Sequence, residues 1–158
     1  LKSYEEFRLA VRQRESSNRY AEVNRFGYLG AYQFGLARLC DLGLTRRKIP
    51  GSSLANENFA FTSITREEFL GSPGLQDACF DLHVQRLKFI CLKKAPDLSS
   101  GVLIPPDFTL DLSGGIMVCH LLGPGGLTDF IQGVSQKDAL GTSARDYAFL
   151  FHDYEIPK

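Results

Sequence analysis

The longest helical pattern in the chain opens at Pro73 and runs to about Lys94. Proline fits the first turn of a helix, where its missing N–H has no partner to lose, so Pro73 marks a start and not a break. Leu75, Ala78, Cys79, Leu82, Leu87, Phe89, Ile90 and Cys91 give this stretch a broad apolar face. A helix with so wide an apolar face needs partners around it, and a central core helix is expected. The chain has 158 residues, 44% of them hydrophobic, which is enough for one real core. A mainly α fold is therefore expected, organised as a single domain over residues 1–158. His83 lies within this helix with no partner near it in sequence and reads as a structural histidine.

The rest of the chain supplies the packing partners. Ser3 and Glu6 make a capping box that starts a helix at Tyr4. Phe7, Val11 and Glu15 recur at every fourth position with Ala10 beside them, so they share one side of that helix. Gly27-Tyr28-Leu29-Gly30 interrupts the pattern and predicts a small turn or hairpin near residues 24–33. Residues 34–42 read as a short helix ended by Gly43. Residues 45–63, with Arg46-Arg47-Lys48, read as a long loop whose basic run is a solvated patch. Thr65 and Glu68 form a second capping box ahead of a short helix. Residues 96–106 read as a linker loop within the domain. The stretch 109–122 is strongly apolar, and 127–132 is expected to be a short helix. Asp138-Ala139-Leu140-Gly141-Thr142-Ser143 then leads into a final helix through Tyr147 and Phe151.

Charge and cysteine usage narrow the function classes. Lys and Arg total 18 against 18 Asp and Glu, so no global field draws the chain to nucleic acid or to an acidic membrane. No apolar run approaches the length of a membrane span. No signal-peptide pattern is visible, and the chain begins at Leu1 and not Met, as it would after processing or trimming. Cys40, Cys79, Cys91 and Cys119 form no Cys-x-x-Cys pair, so neither a zinc site nor any other metal or cofactor is expected. Cys79 and Cys91 fall on one helix, roughly 18 Å apart, too far for a disulfide. Buried free thiols are the expected state, although the even count permits a bridge between distant segments.

Glu15 is the residue whose setting suggests chemistry. It falls on the apolar face of the first helix and near its C-terminus. Burial and the negative end of the helix dipole both disfavour a charged carboxylate there, and a protonated carboxylic acid is what general acid catalysis requires. Arg12, Arg14 and Arg19 oppose this if their charges stay near, but long side chains carry their charge toward solvent. From the helix alone, Glu15 reads more readily as a surface carboxylate paired with an arginine. In the turn that follows, Tyr28 and Tyr32 are either platforms for sugar rings or core residues, and Gln33 is a hydrogen-bonding group for substrate or backbone.

Glu15-Ser16 at a helix end, followed by Gly30-Ala31-Tyr32-Gln33-Phe34, resembles the active-site segment of the bacterial lysozyme-like superfamily, which holds the lytic transglycosylases and goose-type lysozymes. That family shows Glu-Ser at a helix end and then a Gly-x-x-Gln-hydrophobic element. Further on, Cys119-His120-Leu121-Leu122-Gly123-Pro124-Gly125-Gly126 looks like a variant of the superfamily's Ala-Tyr-Asn-Ala-Gly-Pro-Gly element. His120 stands at its Tyr position and Leu121 departs from its Asn. The last helix is similar to the closing segment of phage- and secretion-associated relatives, in which a Tyr approaches the catalytic Glu; Tyr147 is the candidate here.

The resemblance implies a lysozyme-like domain that cleaves the β-1,4 bond between N-acetylmuramic acid and N-acetylglucosamine in peptidoglycan glycan strands. Glu15 is then catalytic, and Ser16, Tyr28, Gly30, Tyr32, Gln33, His120, Gly123 and Tyr147 line the substrate. A periplasmic or secreted monomer follows, with Arg46-Arg47-Lys48 open to a second role against acidic peptide stems. Glycosidases usually carry two carboxylates. Here Glu22 is the nearest second candidate and matches no motif, which suits substrate-assisted chemistry by a single acid. A transglycosylase-like reaction is favoured. A hydrolytic lysozyme using the same Glu, a non-catalytic wall-binding domain of the same fold, and an unrelated helical interaction domain are the alternatives.

Overall fold

The computed structural model describes residues 1–134, 137 and 141–158. In chain order the elements are α1 (Tyr4–Ser16), α2 (Leu36–Asp41), β1 (Thr45–Arg47), β2 (Phe59–Phe61), α3 (Arg66–Leu70), α4 (Pro73–Lys94), β3 (Val102–Ile104), β4 (Phe108–Leu110), α5 (Leu112–Ile131) and α6 (Ala144–Leu150). Short 3-10 turns at Asn56–Asn58 and Pro96–Ser99 precede β2 and β3. Helix accounts for 52% and strand for 12%, so the fold is mainly α, with two small antiparallel sheets of two strands each. No helix among the described residues is long and apolar enough to cross a membrane. The chain divides into two compact units, Arg8–His83 and Leu1–Phe7 with Val84–Lys158; α1 and α4 contribute to both.

Local chemistry sets the helix ends. Ser3 N–H and hydroxyl both donate to the Glu6 carboxylate, and Glu6 N–H donates back to the Ser3 hydroxyl, which completes the expected capping box at α1. Thr65 and Ser143 cap α3 and α6 in the same way through the N–H groups of Glu68 and Asp146. Gly43 follows α2 in the left-handed region, as expected for a C-terminal stop. Lys93 and Lys94 occupy the last turn of α4, where cations meet the negative end of the helix.

In the unit Arg8–His83, Val11, Leu29, Tyr32, Phe34, Leu39, Phe69, Cys79 and Phe80 make the core. Tyr32 stacks flat on Phe80 with ring centres 4.2 Å apart, and Phe34 meets Phe69 edge-on. The stretch 45–63, expected as loop, contains a hairpin in which Thr45 pairs with Phe61 and Arg47 with Phe59. Each strand has only three residues, too few to display an alternating pattern, and one carries the basic run.

In the unit Leu1–Phe7 with Val84–Lys158, α5 is the buried element: Ser113 through Cys119 are all enclosed. Asp111 caps it, accepting from Gly114 N–H and also from Asp153 N–H. α5 breaks at Gly123, whose φ of 77° and ψ of 176° lie outside any helix, and Pro124 restarts it, so the expected helix at 127–132 is its second half. The stretch 96–106, expected as a linker, supplies β3, whose Leu103 pairs with Thr109 of β4. Phe7 packs edge-on against Phe151, which also meets Tyr147. The residues 138–140 that lead into α6 lie outside the described residues.

The expected apolar face of α4 needs correction at three positions. Ala78, Leu82 and Phe89 face solvent, the last two at 59% and 68% exposure, and the buried stripe is Gln76, Cys79, Phe80, His83, Val84, Leu87 and Cys91. The inward face therefore includes an amide and an imidazole that a hydrophobicity count passes over. All four cysteines are free, as expected. Burial pushes the Cys79 thiol up to about 11, and a hydrogen bond with Cys119 together with burial raises that of Cys91.

Candidate active site

α1 ends at Ser16, and the chain leaves it through two residues in the left-handed region, Ser17 (φ 55°) and Asn18 (φ 61°). Such conformations cost non-glycine residues energy and persist only where the surroundings hold them. The hold is visible. Arg12 carbonyl accepts from Asn18 N–H (2.9 Å), and Arg12 Nε donates to Asn18 Oδ1 (2.8 Å). Ser16 hydroxyl donates to the Ala31 carbonyl (2.8 Å), with the Arg12 carbonyl 3.1 Å away, and accepts from Arg19 N–H (3.0 Å). Glu15 sits half-buried in this last turn.

Ala31 belongs to the glycine turn. Leu29 and Phe34 exchange both backbone hydrogen bonds, at 2.9 and 2.8 Å, and a further bridge joins Val23 to Leu29, so the expected hairpin-like turn is present. Gly30 has φ of 80° and donates to the Glu22 carbonyl (2.7 Å). Gln33, itself at φ 54°, donates its side-chain amide to the Gly30 carbonyl (3.0 Å). A Cβ on Gly30 would lie 2.1 Å from Gln76 Oε1, so glycine is required by close approach as well as by conformation.

α4 anchors both segments. Gln76, fully buried, accepts from Ala31 N–H (2.9 Å) and donates to the carbonyls of Tyr20 (2.9 Å) and Phe69 (3.0 Å). Asp77 Oδ1 accepts from the hydroxyls of Tyr20 (2.8 Å) and Tyr32 (2.7 Å) and faces Arg12 Nη1 at 3.6 Å. Arg12 Nη1 donates to the Tyr32 hydroxyl (2.9 Å). Burial and the bond to Asp77 raise the Tyr32 phenol above its ordinary value. One turn away on each helix, Arg8 pairs with Asp81.

Several sequence-predicted residues thus fall in the α1 end and the turn joined to it: Glu15, Ser16, Gly30, Tyr32 and Gln33. Two of them, Ser16 and Tyr32, serve the protein itself. Ser16 is buried with its hydroxyl bonded to main-chain groups, and Tyr32, 2% exposed, presents no face to a sugar. Tyr28 and Phe26 are exposed, and their main-chain N–H groups are both held by Asn24 Oδ1 at 2.9 Å. Arg12, expected to carry its charge outward, is 7% exposed. It is held inside because Asp77, Tyr32 and Asn18 replace its water. In the other unit, His120 is half-buried on α5, Gly123 forms the α5 break, and Tyr147 is buried on α6 against Phe151.

Sequence reasoning missed Arg12, Asn18, Tyr20, Gln76 and Asp77 as a connected set. The available signal was Arg8 and Arg12 one turn apart on one helix and Asp77 and Asp81 one turn apart on another. It missed Asn56 too, which donates to the Phe26 carbonyl and accepts from Leu36 N–H, tying the basic hairpin to the turn. Glu22, the candidate second carboxylate, is ion-paired with Arg19 at 3.1 Å. No cluster of potential metal ligands occurs among the described residues. One shallow groove, of about 340 Å³ and lined by Asp107, Phe108, Arg145, Asp146 and Phe149, contains none of the predicted site residues. No family model, curated protein or solved structure matches this chain.

Proposed function

We propose that this chain is a peptidoglycan-cleaving glycosidase of the lytic transglycosylase type, with Glu15 as its single acid and base. The observation that carries this reading is the 2.8 Å hydrogen bond from Ser16 to the Ala31 carbonyl. It joins the Glu-Ser helix end to the Gly-x-x-Gln turn, the two elements on which the resemblance rests, although they are separate in sequence. The strained backbone supports it. Among the described residues, Ser17, Asn18, Gln33 and Asp153 are the non-glycine positions with positive φ, and the first three flank this junction.

In this reading Glu15 protonates the glycosidic oxygen while the acetamido group of the sugar attacks the anomeric carbon. The resulting carboxylate then takes a proton, either from the sugar's own 6-hydroxyl, which closes an anhydro ring, or from water, which gives the lysozyme product.

Mass spectrometry of peptidoglycan digested with the purified chain tests this. Anhydro-ended muropeptides are expected from the parent, and Glu15→Gln should lower their formation by at least about 100-fold with circular dichroism unchanged, because an amide neither donates nor accepts the catalytic proton. Reducing ends in their place would assign the hydrolytic reaction. A Gln variant cleaving at the parental rate would overturn the role of Glu15.

A further inference from the structure

We infer that Asp77 is a positioning residue for Glu15, acting through Arg12 and Tyr32. This rests on the glycosidase reading but adds a device that the motifs do not contain. Asp77 does not adjoin Glu15 in sequence and sits on a different helix, yet its carboxylate reaches Arg12 on the helix that carries the acid and two tyrosines that flank the Gly30 turn. Through Oδ1 it takes the hydroxyls of Tyr20 and Tyr32, which lie on either side of the Gly30 turn. Through the same atom it faces Arg12, whose carbonyl and guanidinium both hold Asn18, the second of the two left-handed residues that end α1. Asp77 therefore balances the charge of an almost buried guanidinium and, through it, sets the exit of the helix whose last turn carries Glu15. Gln76 beside it binds Ala31 N–H, the same residue whose carbonyl accepts from Ser16. A shift of the acid by about 1 Å is enough to cost about 100-fold in turnover, so a device of this kind has kinetic weight.

The neighbouring pair gives an internal control. Arg8 and Asp81 form a two-point and more exposed ion pair between the same two helices, one turn farther from Ser16, whereas Arg12 is the arginine that holds Asn18. Asp77→Asn and Asp81→Asn thus each remove one arginine-paired carboxylate of α4, with different consequences for the acid.

The test compares both variants of the full chain with the parent on soluble glycan oligomers carrying peptide stems. Asp77→Asn should lower kcat about 10- to 100-fold with KM within about twofold, while Asp81→Asn keeps the parental kcat even where its thermal midpoint falls as far. Amide hydrogen exchange supplies a readout independent of activity: protection at Asn18, Arg19 and Ala31 should fall at least about tenfold in Asp77→Asn and stay at the parental level in Asp81→Asn. Equal losses of kcat in the two variants, or a parental kcat in Asp77→Asn, would overturn the inference. A parent that cleaves no glycan would defeat the glycosidase reading alone. The exchange result would then decide whether Asp77 holds the helix end, and unchanged protection at those amides would show that it does not.

Discussion

In the unit Arg8–His83 the interior is cross-linked by polar groups, whereas in the unit Leu1–Phe7 with Val84–Lys158 it is built from apolar contacts around α5. Among the described residues the buried polar or charged side chains are Arg12, Ser16, Thr45, Gln76 and His83 in the first unit and Ser113 alone in the second. The difference is one of specification. An apolar core tolerates exchange of one shape for a similar one, because dispersion and burial have no direction. A satisfied polar network does not, because each donor and acceptor has one place and a broken member leaves its partner stranded. The unit with the polar interior is also the one that holds Glu15 and three left-handed non-glycine residues. Strained backbone needs directional support, and the network provides it.

This comparison is sharpest where two side chains of similar importance are removed by different means. Phe151→Ala empties a fully enclosed site between Phe7 and Tyr147 and should cost about 3–5 kcal/mol through lost burial and a cavity. Gln76→Leu keeps the volume and opens no cavity, yet it strands Ala31 N–H and the carbonyls of Tyr20 and Phe69, and should cost about as much. Urea unfolding of the two variants checks this; a Leu variant within about 1 kcal/mol of the parent would break the contrast between the units.

Gly30→Ala should follow, at about 2–3 kcal/mol, since the methyl group meets the Gln76 amide oxygen in a backbone region that L-residues avoid. A thermal midpoint equal to the parent's would show that the turn yields and that the network is softer than described.

The smallest effect is a pH dependence at the start of α1. Hydrogen bonds from Ser3, N–H first and hydroxyl second, hold the Glu6 carboxyl below its ordinary 4.5. The folded chain therefore binds this proton less readily than the unfolded one. The stabilisation is fully present above the ordinary value and is lost as pH falls through the lowered one. The difference in thermal midpoint between the parent and Glu6→Gln should accordingly shrink below about pH 4.5. A difference that stays constant into stronger acid would exclude the carboxylate as its source.

Much of the fold was legible because helix ends are local. The Ser3–Glu6 and Thr65–Glu68 boxes, Pro73 and Gly43 act within a few residues of themselves, and each marks an end that the structure contains. The four small strands were not legible, since three residues carry no usable alternation and each pairs only with a partner across a turn or loop. At the candidate site, the sequence pointed to Glu15, Ser16, Gly30, Tyr32 and Gln33, and two of these residues turn toward the protein itself. The hydroxyl of Ser16 and the ring of Tyr32 are directed inward by Ala31 and Phe80, which residue type alone does not reveal.

By itself the sequence determined that the chain would be mainly helical, where α1, α3 and α4 begin, and that Glu15 would sit in a last helical turn ahead of a glycine turn. These rest on interactions between residues a few positions apart, which a chain of this composition makes wherever it folds. Tertiary structure alone decided that Arg12 is buried and not solvated, that α4 turns Gln76 and His83 inward and Leu82 and Phe89 outward, and that Asp77 joins Arg12, Tyr20 and Tyr32. Those outcomes depend on pairs such as Tyr32 with Asp77, 45 positions apart, and Arg8 with Asp81, 73 apart. A buried charge is stable only with its counter-charge and hydrogen bonds in place, so which charges enter the interior is settled when distant helices meet and not before.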